Sequence, residues 1–154
     1  MKKILVAYFS ATGTTKNVAE KLASKLSCDI YEIKPVAPYT DADLNWMDKN
    51  SRSTLEMKDK NSRPEIVIGD VDVSKYDTIL IGYPVWWYTA PTIINTFLEA
   101  YDFANKEIVI WATSGGSGLG RAKDDLEKSA KTTVKNGKIL NNSTQIEEFL
   151  KEIN

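Results

Sequence analysis

Histidine is absent from all 154 residues. That removes imidazole general acid–base catalysis, serine–histidine triads and histidine metal sites in one step. Cysteine occurs once, at Cys28, which excludes a disulfide framework, a two-cysteine metal site and a C-x-x-C redox pair within one chain. In its apolar-looking stretch, Cys28 reads as a buried structural thiol. An excess of one charge is missing too: 20 Lys and Arg against 21 Asp and Glu leave a formal net charge of −1. No global field therefore draws the chain to nucleic acid or to an anionic membrane. No run approaches the roughly 18 apolar residues of a membrane span. Met1–Lys2–Lys3 followed by apolar Ile4–Phe9 starts like a leader, but the run is too short and no small-residue cleavage site follows. A cytoplasmic chain forming one domain over 1–154 is expected. Its chemistry must come from hydroxyls, carboxylates, lysines, aromatics or a bound cofactor.

What is present alternates. Ile4–Phe9 is a short apolar run of the kind that forms a strand buried on both faces. A helix pattern starts near Gly13, with Val18, Leu22 and Leu26 at helical spacing. Cys28–Ile33 reads as a second strand, stopped before Pro35. Residues 35–77 are polar and charged, with a helix expected around Asp43–Lys58 (inner face Leu44, Met47, Leu55) and an extended piece at Glu65–Gly69. Tyr39, Leu44 and Trp46 would be poor choices for a solvated linker. Thr78–Tyr83 and Glu107–Ala112 are further buried strands, Thr92–Ala100 and Arg121–Lys135 helices, Gly137–Leu140 a short last strand. Thr144–Ile153 is an amphipathic helix with Ile146, Phe149, Leu150 and Ile153 inward. The alternation predicts an α/β fold: one five-stranded parallel sheet wrapped on both sides, with an insert between strands 2 and 3 and a topology limited by right-handed crossovers; in the order 2-1-3-4-5 the loops after strands 1, 3 and 4 are neighbours at one end. Ligands of such sheets bind beyond the carboxyl ends of the strands, where the strand order reverses.

Three loops fall at that end. The first is Ser10–Ala11–Thr12–Gly13–Thr14–Thr15. A single hydroxyl would be explained by a helix cap; four within six residues exceed that need. With a helix N-terminus behind them and Gly13 allowing close backbone approach, they suit a phosphate. The P-loop pattern is missing and only one glycine is present, so a phosphomonoester held without magnesium fits better than a nucleoside triphosphate or dinucleotide. The second loop runs Pro84–Val85–Trp86–Trp87–Tyr88–Thr89–Ala90–Pro91. Three consecutive aromatics cannot all face the core, and at least one is offered to a planar ligand or to a protein interface. The third, Thr113–Ser114–Gly115–Gly116–Ser117–Gly118–Leu119–Gly120, exposes backbone donors and acceptors suited to the polar edge of a heterocycle. As a dinucleotide fingerprint it fails, because Arg121 stands where the third glycine belongs.

Taken together, these loops and the segments Asp43–Leu44–Asn45–Trp46 and Tyr83–Pro84–Val85–Trp86–Trp87 resemble the flavodoxins over essentially the whole chain. The resemblance implies a doubly wound fold and non-covalent flavin mononucleotide (FMN). Ser10 to Thr15 would hold its phosphate, Pro84 to Tyr88 would line and stack on the isoalloxazine, and Thr113 to Gly118 would border the pyrimidine edge. It implies no catalytic side chain and no metal. It implies electron transfer to redox partner proteins; an FMN-dependent NAD(P)H:quinone-type oxidoreductase, with a small quinone-like acceptor, is the alternative. A flavin-free signalling module on the same fold would want clustered aspartates after the first strand, where this chain has hydroxyls. The chain departs from the flavodoxin pattern twice: it is nearly neutral instead of strongly acidic, and it has no glycine between Tyr83 and Pro91.

Overall fold

The computed structural model describes residues 3–153. Five parallel strands form one sheet in the order β2-β1-β3-β4-β5: β1 (Ile4–Tyr8), β2 (Asp29–Glu32), β3 (Thr78–Pro84), β4 (Glu107–Thr113) and β5 (Val134–Ile139). The helices are α1 (Thr14–Leu26), α2 (Arg52–Lys58), α3 (Thr92–Ala100), α4 (Ala122–Ala130) and α5 (Ser143–Ile153). This is the expected doubly wound order.

Successive strand residues point to opposite faces, so a strand covered on both sides needs apolar residues at every position. Leu5, Ala7, Ile79, Ile81, Ile108 and Ile110 enter one buried cluster, with Ile93, Phe97 and Leu126 of α3 and α4. Val6, Leu80, Val109 and Trp111 enter the other, with Val18 and Leu22 of α1 and Ile146 and Phe149 of α5. Leu150 and Ile153, expected inward, are only half-buried beside that second cluster. β2 is an edge strand, and Ile30 remains 42% exposed.

Three expectations need correction. The helix at Asp43–Lys58 exists only as α2, Arg52–Lys58. Before it, short polar side chains capture backbone amides in successive turns: Thr40 N–H donates to Asp43 Oδ2 (3.0 Å), Met47 N–H to Asn45 Oδ1 (3.2 Å) and Asn50 N–H to Asp48 Oδ1 (2.9 Å). Such bonds compete directly with helical ones. Met47 and Leu55, read as inner-face residues, are 72% and 51% exposed. Secondly, α4 stops at Ala130, where Lys131 takes a left-handed cap (φ 56°) without a glycine to announce it. The chain then enters β5 at Val134, earlier than the Gly137–Leu140 strand read from sequence. Thirdly, Cys28 is partly accessible instead of buried, and desolvation pushes its thiol pKa up. It precedes β2, at the end of the sheet away from the three loops.

Candidate functional site

The loops after β1, β3 and β4 meet at the carboxyl ends of the strands, across the β1/β3 boundary where the chain reverses its winding. Direct contacts join them. The buried Thr15 and Thr113 hydroxyls lie 2.8 Å apart and tie the first loop to the third. Val85 N–H donates to Thr113 O at 2.9 Å and ties the second to the third. The Phe9 and Trp86 rings meet edge-on at 5.8 Å and tie the end of β1 to the second loop.

In the first loop Ser10 does what a helix cap does: its Oγ accepts from Gly13 N–H (3.0 Å) and Lys16 N–H (3.1 Å). Gly13 sits at the N-cap with φ 97°, a conformation that favours glycine. A Cβ built there would meet nothing within 4 Å, so the space in front of the helix is open. Thr12 and Thr14 are exposed, and Ala11 packs its methyl against the core. The loop therefore divides its labour. Ser10 and Thr15 build it, while Thr12, Thr14 and the first amides of α1 face an open cradle. Thr14 and Thr15 belong to the first turn of that helix.

The second loop is a tight turn. Trp86 N–H donates to Thr89 O (3.0 Å) and Thr89 N–H to Trp86 O (3.1 Å). Trp87 (φ 48°) and Tyr88 (φ 64°) between them are both left-handed, the arrangement of a type I′ turn, where Asn-Gly is the favoured sequence. Each non-glycine residue held there costs about 1 kcal/mol. Gly120 enforces the turn from behind: it packs so close that a Cβ would lie 2.0 Å from Tyr88 O, and Arg121 N–H donates to that same oxygen. Trp87 and Tyr88 are thereby left 37% and 67% exposed, with Trp86 half-buried between Phe9 and Tyr39. Tyr88→Gly is expected to raise stability by about 1 kcal/mol while removing a wall of the cleft. Denaturant unfolding beside a flavin titration measures both effects; a destabilised variant would show the turn to be unstrained.

In the third loop Ser114 Oγ accepts from Gly116 N–H (3.2 Å) and Ser117 N–H (2.8 Å). Those two amides are thus already engaged, against the expectation of a free backbone edge. Gly115, Gly116 and Gly118 still face open space. Asn141, which the sequence reading missed, clamps Ser114 on both sides: its Oδ1 accepts from Ser114 N–H (3.0 Å) and its Nδ2 donates to Ser114 O (2.8 Å).

A cleft of about 580 Å³ opens between the second and third loops, walled by Val85–Tyr88, Ser114–Ser117 and Trp46 of the insert; no residue of Ser10–Thr15 lines it. Trp46 is 69% exposed. Tyr39 underlies the second loop, its ring edge-on to Trp86 (5.5 Å) and Phe9 (5.5 Å). Its hydroxyl donates to Glu56 Oε1 (2.5 Å), and the Arg52 guanidinium lies 3.8 Å from its ring centroid. Burial first and the Glu56 bond second hold the Tyr39 phenol far above its usual pKa. Burial does the same to Tyr83, with Asp125 adding to it. Both stay neutral across the physiological range. Arg52 also donates to Ala37 O (2.6 Å) and pairs with Glu56 (3.0 Å). Arg52→Ala should cost about 2 kcal/mol by leaving Glu56 Oε2 without its cation while Oε1 keeps the Tyr39 hydroxyl. It should also open residues 35–60 to proteolysis ahead of global unfolding; cleavage no faster than in the parent would show that Arg52 does not hold the insert.

A doubly wound sheet with a hydroxyl-rich helix N-terminus, an aromatic wall and a glycine-rich edge at its switch point is a cofactor-binding α/β protein. The chain matches a flavodoxin family profile over residues 3–154 and belongs to that family. It is similar to a candidate flavoprotein from Bacteroides eggerthii, at 46% identity with TM-score 0.92, over 99% of this chain and 98% of that one. A candidate flavoprotein from Bacteroides uniformis shares 43% identity with TM-score 0.90, over 97% and 98%. A flavoprotein from Lactobacillus acidophilus, solved in complex with FMN, shares 29% identity with TM-score 0.68, over 88% and 90%. A comparison with curated proteins returned no match.

Proposed function

We propose that this chain is an FMN-binding electron-transfer protein. The observation that carries the reading is the convergence of an open hydroxyl-lined helix N-terminus with an aromatic cleft at the winding reversal. The FMN complex of the similar Lactobacillus acidophilus flavoprotein supports it. In this reading the first amides of α1 and the Thr12 and Thr14 hydroxyls receive the phosphate, helped by the helix dipole. Ser10 and Thr15 keep that loop in shape, as their bonds show. Trp86, Trp87 and Tyr88 line one side of the isoalloxazine and Ser114–Gly118 border its polar edge, with Trp46 shielding it from water. The bound FMN supplies the redox chemistry, and the protein sets orientation, solvent access and potential. Redox partner proteins approach over the rim formed by Trp46 and Tyr88.

Absorbance of the purified protein before and after adding FMN tests the cofactor: a bound flavin spectrum is expected, and none would refute the reading. Dithionite titration of the loaded protein then tests the electron count, with reduction expected in two resolved steps.

The second reading is an FMN-dependent NAD(P)H:quinone-type oxidoreductase. The open, 580 Å³ cleft favours it by leaving room for a second planar molecule. Rapid mixing with NADH and NADPH separates the two readings: a flavin that stays oxidised for minutes supports the electron carrier.

A further inference from the structure

The Trp86–Thr89 turn is held from outside its own loop, and the hold converges on one carboxylate. Asp125 lies in the first turn of α4, beside Asp124, where the sequence reads as an ordinary charged helix face. Its Oδ2 accepts the hydroxyl of Thr89, the closing residue of the turn, at 2.6 Å. The same oxygen lies 3.4 Å from Nε of Arg121, and the N–H of Arg121 donates to Tyr88 O at 3.3 Å. Asp125 is itself fixed from two sides. Its N–H donates to Arg121 O (3.1 Å), and Nδ2 of Asn95 on α3 donates to Asp125 O (3.2 Å). Thr89 and Asn95 are both buried.

Backbone strain persists only where the surroundings over-determine it. Trp87 and Tyr88 are consecutive left-handed residues without a glycine between them. The two bonds between Trp86 and Thr89 close the turn, and the start of α4 fixes its second half through Tyr88 O and the Thr89 hydroxyl. Of the Asp125 contacts, the one to Thr89 matters most. A hydroxyl donating to a carboxylate makes a short, charge-assisted bond, and burial of Thr89 strengthens it. The Arg121–Asp125 pair is 55% and 38% exposed, so water screens it.

We propose that Asp125 is a positioning residue for the flavin cleft: by holding Thr89 it keeps Trp87 and Tyr88 in the left-handed turn that places them in the cleft wall. The inference rests on the FMN reading of that cleft.

Four variants separate the bond from the charge. Asp125→Asn keeps an acceptor oxygen for Thr89 and removes the charge, whereas Asp125→Ala removes both. Thr89→Ser keeps the hydroxyl, and Thr89→Val removes it. FMN affinity is read by fluorescence titration, and visible-region circular dichroism of the bound flavin reports the groups packed around it. Asp125→Ala and Thr89→Val should each weaken FMN binding about tenfold or more and alter the flavin dichroism. Asp125→Asn and Thr89→Ser should stay within about threefold of the parent and keep its band shape. Thr89→Val/Asp125→Ala should bind no worse than the weaker single variant, because both substitutions remove the same bond. Backbone carbon shifts of Trp87 and Tyr88 in the FMN-free proteins give a second readout, with the left-handed signature expected in Asp125→Asn and lost in Asp125→Ala. An Asp125→Ala variant that melts lower but keeps the parent's affinity, dichroism and carbon shifts would overturn the proposal. So would an Asp125→Asn variant as weak as Asp125→Ala. Absence of FMN uptake by the parent refutes the flavin reading, and the carbon shifts still decide whether Asp125 holds the turn.

Discussion

Gly13→Val will weaken FMN binding by at least about 100-fold, the equivalent of about 2.7 kcal/mol, in a protein that still folds. Two effects combine. A side chain at this position projects into open space in front of α1, where no heavy atom lies within 4 Å of the Cβ position. In the proposed reading the phosphate reaches the helix's first amides through that space, so isopropyl bulk would displace it from its donors. The backbone there also holds φ at 97°, which costs an L residue about 1–2 kcal/mol. A fold of this size tolerates that cost. Gly13→Asn separates the two effects, because asparagine accepts left-handed backbone better than any β-branched residue. Fluorescence titration with FMN, alongside thermal melts of the FMN-free protein, gives both quantities. Unchanged affinity in Gly13→Val would move the phosphate elsewhere.

Gly82→Ala will cost the fold about 3 kcal/mol, near the upper end of overpacking penalties, and lower the melting temperature by about 10 °C. Gly82 lies in the central strand β3, opposite Trp111 of β4. Its missing side chain is what makes room for the indole: a Cβ would lie 2.0 to 2.3 Å from three indole ring atoms. Trp111 is wholly buried and its indole N–H has no partner among the described residues, so no hydrogen bond guides the ring to another place. Gly82→Ala/Trp111→Phe should recover part of the loss, because a phenyl ring vacates the space that the methyl enters. Non-additivity of that pair identifies the contact. A single Gly82→Ala variant that melts with the parent would show that the indole is placed differently.

Much of this protein was legible along the chain because its signals are local. β1, β3 and β4 are continuous apolar runs, and continuity is what burial on both faces demands. Thr92–Ala100, read as a helix directly after Pro91, matches α3 residue for residue. Legibility failed where short-range competition decides. Between Thr40 and Asn50, side chains of Asp43, Asn45 and Asp48 take backbone amides that a helix would need, and periodicity does not register that choice. It failed again at Lys131, whose left-handed cap leaves no mark in residue type.

In the site, the chemistry of each loop was readable and its state was not. Four hydroxyls in the first loop looked alike in sequence. Only the fold shows that Ser10 and Thr15 are spent on the loop's own architecture while Thr12 and Thr14 remain free. Trp87 and Tyr88 were identifiable as aromatics too many for the core. That both sit in a strained left-handed turn depends on Gly120, more than thirty residues later, pressing on Tyr88 O. Asn141 had no sequence signal that tied it to the other loops, and Trp46 was tied to them only through the resemblance carried by Asp43–Leu44–Asn45–Trp46.

By itself, then, the sequence determined the α/β alternation and the exclusion of histidine and paired-cysteine chemistry, because composition and periodicity are properties of neighbouring residues. It also determined that a hydroxyl loop, an aromatic loop and a glycine loop follow β1, β3 and β4. The tertiary structure alone decided which groups within those loops are consumed in building them and which face the open cleft. Hydrogen-bond partners 98 residues apart, such as Thr15 and Thr113, are set by packing, and a donor's availability is only what packing leaves unpaired.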